Sequence, residues 1–153
     1  MPNEIPIHPM LVHFPIALLI TGFLVELASL LFRRDWLARA GLLLLLAGTA
    51  GAVAAVVTGD REEDKILETP AIEHTLEEHE DGGKLTMWVF IAVALARSVA
   101  AWRRSLPAAV RWVILAAWLF GLGSLFYTAW HGGELVYEHG AGISASGSAE
   151  GQD

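Results

Sequence analysis

Apolar residues in this chain come in long runs, and the polar residues are gathered between them. Four runs approach the roughly 20 mostly apolar residues that a helix needs to cross a bilayer. They extend from about Phe14 to Phe32, Trp36 to Thr58, Leu85 to Trp102 and Val110 to His131. The pattern predicts an all-α fold, an integral membrane bundle of four helices. Connections within the first pair and within the second are short, so each pair is expected as an antiparallel hairpin. A long polar segment, residues 59–84, joins the two hairpins. A soluble bundle is the competing reading, but four such runs in 153 residues leave little polar surface to cover a soluble core. The hairpins also look alike in hydropathy, which admits a weak internal repeat.

Basic residues set the expected orientation, because Lys and Arg collect on the cytoplasmic side. Arg33, Arg34 and Arg39 flank the first hairpin turn, and Arg97, Arg103, Arg104 and Arg111 flank the second; the other side holds only Arg61, Lys65 and Lys84. Both turns should therefore be cytoplasmic. Both termini and the 59–84 segment should be outside, periplasmic in a bacterial inner membrane. Trp36, Trp102 and Trp112 then fall at the inner interface, and Trp88 and Trp130 at the outer one, as aromatic belts do. Met1 to Pro6 lacks the basic region of a signal peptide, and the first run exceeds a signal core, so it is expected to stay as a span.

The 59–84 segment is acidic and is expected to hold a short helix of its own. Thr69 is placed to cap it, with Pro70 at its first position. Ile72, Leu76 and His79 then share one face, and His74 points away among Glu73, Glu77 and Glu78. Gly82-Gly83 is expected to separate this helix from the third span. Residues 1–140 form the predicted transmembrane domain, and residues 141–153, rich in Gly, Ser and Ala, a flexible tail.

Composition narrows the chemistry. The chain is 54% hydrophobic and has no cysteine, which removes disulfides, thiolate metal sites, C-x-x-C-H haem attachment and cysteine nucleophiles. Its net charge of −7 is segregated along the chain, and its arginines sit at helix ends instead of on a basic face, which argues against nucleic acid. No hydrolase motif, phosphate loop or H-E-x-x-H occurs. A transporter finds little support without a broken span or a mid-depth site.

Two charges lie inside the spans. Glu26 and Arg97 each sit twelve residues into parallel spans, roughly 18 Å along the helix axis. An isolated charge in hydrocarbon is costly, so an intramembrane ion pair is expected, a staple more than a proton relay. In the second span Ala47, Gly51, Ala55 and Gly59, with Gly48 and Ala52 beside them, form a small-residue stripe. Such stripes serve close helix packing, the commoner use, or admit a flat cofactor. Ala117, Gly121, Ser124, Thr128 and His131 mark a related face of the fourth span, turned toward the bundle interior.

All six histidines fall on the outer side: His8, His13, His74, His79, His131 and His139. Neutral imidazole binds Fe, Zn, Cu and Ni. A b-type haem asks for two axial ligands from different helices. His13, opening the first span, and His79, on the apolar face of the outer helix, meet that demand best, followed by His8, His131 and His139. A non-haem Zn, Cu or Fe site using His8, His13 and His79 with Asp60 or Glu138 is the alternative.

The segment His8-Pro9-Met10-Leu11-Val12-His13-Phe14-Pro15-Ile16-Ala17-Leu18 resembles the opening signature of a family of bacterial predicted membrane proteins of unknown function. The likeness extends through Thr58-Gly59-Asp60 and His79 to Gly132-Gly133-Glu134-Leu135-Val136-Tyr137-Glu138-His139-Gly140, nearly the whole chain. The resemblance implies that His8, His13, His79 and His139 are motif positions. It also implies proximity to electron transfer, since some members are fused to cytochrome-c-like modules. Pro15 suits the first turn of the first span, and the glycine-rich final motif suggests a tight turn that returns Tyr137 and His139 over the histidines.

Three functions follow in order: a haem b electron-transfer protein of the membrane, a structural subunit of a larger membrane complex, and a non-haem metal protein. Whether it is an enzyme is left open by the sequence. Besides the lipid bilayer, the expected partners are a redox protein or a larger complex, with a homo-oligomer as a further candidate.

Overall fold

The computed structural model describes residues 7–63, 70–103 and 107–140. Five helices make it up: α1 (Ile7–Leu11), α2 (His13–Phe32), α3 (Asp35–Glu63), α4 (Pro70–Trp102) and α5 (Ala108–Tyr137). Four segments, Ile7–Phe32, Asp35–Arg61, Ile72–Trp102 and Ala108–Tyr137, are long and apolar enough to cross a membrane. The fold is an all-α bundle of four such helices.

Proline explains the break between α1 and α2. Pro15 has no N–H to give the Leu11 carbonyl, so the ladder lapses for one residue. Val12 keeps helical angles there, donating to the His8 carbonyl and accepting from the Ile16 N–H. At the other end α2 stops at Arg33, a non-glycine residue in the left-handed region (φ 52°, ψ 44°), which turns the chain back within two residues. Asp35 then opens α3, a carboxylate at the positive end of the helix dipole.

The helices pack as two hairpins, α2 on α3 and α4 on α5, joined along α3–α4 and α2–α5. One apolar side chain from each of the four long helices is wholly buried at the centre: Leu19, Leu45, Phe90 and Trp118. The Trp118 indole N–H donates to the Leu19 carbonyl at 3.2 Å. Gly22 leaves room for that ring; a methyl group there would meet it at 3.0 Å. Large apolar side chains on the outer faces, among them Leu24, Leu43, Leu95 and Phe126, are more than half exposed, as lipid-facing residues are. Inside, Thr86 bonds to Ser124 at 2.8 Å, and among the described residues no buried side-chain nitrogen or oxygen lacks a partner. Internal satisfaction of this kind is what hydrocarbon demands.

Three expectations change. The outer segment does not form a separate short helix: α4 runs unbroken through Gly82-Gly83. Gly82 is there for close approach, since a methyl group would strike the Thr128 hydroxyl at 2.6 Å. Likewise α5 does not turn at Gly132-Gly133 but continues to Tyr137, and the left-handed glycine comes later, at Gly140 (φ 67°). The stripe on α3 holds at Gly51, Ala55 and Gly59 but loses one member and takes in Gly48 from beside it. Ala47 is exposed, while Gly48 meets Leu19, Gly51 meets Pro15 and Gly59 meets the His8 ring. On this stripe the small residues serve close packing against α2 and seat the His8 imidazole. Thr69, Lys65, Arg104, the segment 1–6 and the tail 141–153 lie outside the described residues.

Candidate functional site: two imidazoles at one end of the bundle

The up-and-down order brings the start of α1, the end of α3, the start of α4 and the end of α5 to one end. His8 comes from α1. Its Nδ1 donates to the Ala55 carbonyl on α3 at 2.8 Å, and its ring lies over Gly59, one turn further along. His79 comes from α4. Its Nδ1 donates to the Thr128 carbonyl on α5 at 2.9 Å, and its ring lies over Gly132. The two ring centres are 6.0 Å apart with their planes perpendicular.

These bonds fix the tautomers. A carbonyl oxygen only accepts, so each Nδ1 carries hydrogen, and a neutral ring then has its lone pair on Nε2. Histidines that ligate metals are held in the same manner, with the second nitrogen giving its N–H to a carbonyl or carboxylate.

His13, expected as the partner of His79, is instead exposed at the head of α2. Five residues of helix turn a side chain by about 140°, so the geometry that aims His8 at α3 aims His13 away. His74 is exposed as well, opposite the buried Leu76. His131 donates from Nδ1 to the Tyr127 carbonyl within its own helix, and its ring leans on Tyr127 at 4.3 Å between centres. The return after α5 brings the His139 Nε2 within 3.5 Å of the Thr75 hydroxyl, while Tyr137 stays almost fully exposed. Asp60 and Glu138 are exposed. Among the described residues no three His, Cys, Asp or Glu side chains gather closely enough to hold an ion. Sequence reasoning missed the carbonyls of Ala55 and Thr128 and the seats at Gly59 and Gly132. The signals were that both glycines stand within the motif segments and that Ala55, Gly59 and Thr128 lie on the small-residue faces of the second and fourth spans.

A second polar cluster is buried toward the other end. Arg97 grips Glu26 with two hydrogen bonds, Nε to Oε1 at 3.0 Å and Nη2 to Oε2 at 3.2 Å, and also donates to the Ala38 carbonyl. Arg111 approaches the same carboxylate at 3.6 Å and donates to the Ser29 hydroxyl. Gly41 admits the carboxylate, for a methyl group there would touch Oε2 at 2.9 Å. One acid thus sits between two guanidiniums, and its planar fork with Arg97 is the strongest geometry such a pair adopts.

A family model described as predicted membrane protein (DUF2231) matches residues 4–145. The chain belongs to this family. The match spans all four long helices, both histidine seats and the Glu26–Arg97 pair, so this DUF2231 protein carries both polar clusters inside the family domain. Neither a curated protein nor a solved structure matches it.

Proposed function

We propose that this DUF2231 protein is a membrane electron-transfer protein that holds a b-type haem between His8 and His79. The carrying observation is the pair itself: two imidazoles from different hairpins, ring centres 6.0 Å apart, each bonded through Nδ1 to a helix carbonyl. Two imidazoles on opposite sides of one ion, with metal–nitrogen bonds of about 2.0–2.1 Å, put their ring centres roughly 6 Å apart. A porphyrin supplies four positions to iron and asks the protein for two. A non-haem ion would ask for further protein ligands, and the exposed Asp60 and Glu138 are poorly placed to serve. When bound, the haem would supply one-electron chemistry. The chain's own part is to present two Nε2 atoms and to surround them with helices. In this reading the histidine end faces the periplasm, where a redox partner or a larger membrane complex would exchange electrons with it. His13, His131 and His139 are not ligands in this arrangement.

The test is optical. Protein purified in mild detergent from haem-replete cells should show a Soret band that shifts on dithionite reduction, with sharp alpha and beta bands. His8→Ala or His79→Ala should each abolish the low-spin spectrum, and His13→Ala and His74→Ala should keep it. Retention of the spectrum in both of the first two variants would sink the assignment.

A second reading has an observation of its own. The same two bonds tie α1 to α3 and α4 to α5, so the histidines also serve as latches in a structural subunit. That reading takes over if the purified protein stays featureless after haem addition while both variants lose thermal stability.

A further inference from the structure

The contacts of the first hairpin recur in the second. In the first, His8 bonds to the Ala55 carbonyl over Gly59, Pro15 packs on Gly51 and Leu19 on Gly48. In the second, His79 bonds to the Thr128 carbonyl over Gly132, Thr86 bonds to Ser124 and Phe90 packs on Gly121. From His8 to His79, Pro15 to Thr86 and Leu19 to Phe90 the offset is constant, and it is the 71 residues that separate Glu26 from Arg97. The partner positions on α3 and α5 keep a second constant offset, two residues longer. The weak repeat in hydropathy is therefore a repeat of contacts. Helices α2 and α4 run the same way, so the halves are related by a pseudo-two-fold axis along the bundle, the parallel kind of membrane repeat.

Each histidine is seated the same way. A carbonyl holds Nδ1, and four residues later on the same helix a glycine lies under the ring edge. A methyl group at Gly59 would meet the His8 Cε1 at 3.1 Å, and one at Gly132 would meet the His79 Cε1 at 2.8 Å. Gly133, by contrast, faces nothing within 4 Å. Neither seat is needed for a turn, since both glycines lie inside regular helix.

We propose that Gly59 and Gly132 are positioning residues of the haem site, each seating one ligating imidazole, and that the two seats are one construction repeated about the pseudo-axis. This rests on reading His8 and His79 as ligands. Because the seats share one construction, alanine at either should act in the same direction, more strongly at Gly132 where the approach is closer: the ring shifts against its carbonyl, and its Nε2 moves from the position in which it would ligate.

The experiment compares the full-length wild type with Gly59→Ala, Gly132→Ala and Gly133→Ala, by haem titration and by nitrogen-15 spectra of histidine-labelled protein without haem. Loss of a support behind a metal ligand typically weakens affinity roughly ten- to a hundred-fold. That loss, with a high-spin fraction, is expected for Gly59→Ala and Gly132→Ala, with Gly133→Ala like the wild type. Wild-type haem binding in the two seat variants overturns the proposal and leaves the ligand assignment standing. If the wild type takes up no haem, the ligand assignment fails, and the nitrogen spectra decide the seats. A shifted Nδ1–H signal for His8 in Gly59→Ala and for His79 in Gly132→Ala sustains them; unchanged signals overturn them. Should Gly132→Ala accumulate poorly, it is made in a His79→Ala background, where no ring remains to be displaced. Recovery of yield sustains the seat, and persistent loss overturns it.

Discussion

Glu26 and Arg97 are the residues whose replacement should matter most to stability. Both are buried, at 2% and 6% exposure, and removing one partner leaves the other charged and unpaired. Such removals typically cost about 3–5 kcal/mol. Glu26→Ala should lower the midpoint of thermal unfolding in detergent sharply, leaving two guanidiniums without their acid. Pairing it with Arg97→Met should recover part of the loss; a double variant no better than the single one would mean that Arg111 dominates. At this scale the sequence was informative about which residues carry chemistry and less so about which of them meet. Equal depth on parallel helices was enough to bring Glu26 to Arg97. It was not enough to choose between His8 and His13, because that choice turns on helical phase around Pro15, a matter of degrees that residue spacing does not fix.

Among the helices, the glycines decide how closely elements approach. Gly48 lies against Leu19, where a methyl group would sit at 2.7 Å. Gly48→Ala should destabilise by about 1–3 kcal/mol, the usual range for overpacking a filled core. Leu19→Ala in the same chain should relieve part of that. Thermal unfolding of the two single variants and the double one measures the coupling, and strictly additive losses would place the strain elsewhere. Hydropathy made the existence and pairing of the four long helices legible, but it misplaced their ends. Gly82-Gly83 and Gly132-Gly133 read as breaks from sequence because glycine is a poor helix former. In the fold the helix continues through both pairs, because Gly82 and Gly132 let a neighbouring helix or ring come close, and that packing outweighs propensity.

For the molecule as a whole, the segregated arginines give an orientation that labelling can check. Cysteines introduced singly at Ser105 and Ser146 should react with an impermeant reagent from opposite sides, Ser146→Cys from the periplasm and Ser105→Cys only after the membrane is opened. Labelling of both from the same side would reject the assigned topology. The bundle itself was legible because bilayer thickness forces long apolar runs. The pseudo-two-fold relation was visible only as similar hydropathy. Some repeated contacts join unlike residues, Pro15–Gly51 in one half and Thr86–Ser124 in the other, while His8–Gly59 and His79–Gly132 recur in kind, too few like pairs for residue type to mark the repeat.

The buried ion pair also bears on how the chain assembles. Helices that are stable singly insert first and associate afterwards, and the N-terminal hairpin is synthesised first. Glu26 belongs to that hairpin and Arg97 to the later one, so neither meets its partner until both hairpins are inserted and docked. A half-made or wrongly docked chain therefore displays an unmatched charge within the bilayer, and the finished one does not. Membrane quality control that recognises exposed intramembrane charge would have, in these two residues, a marker of whether assembly is complete.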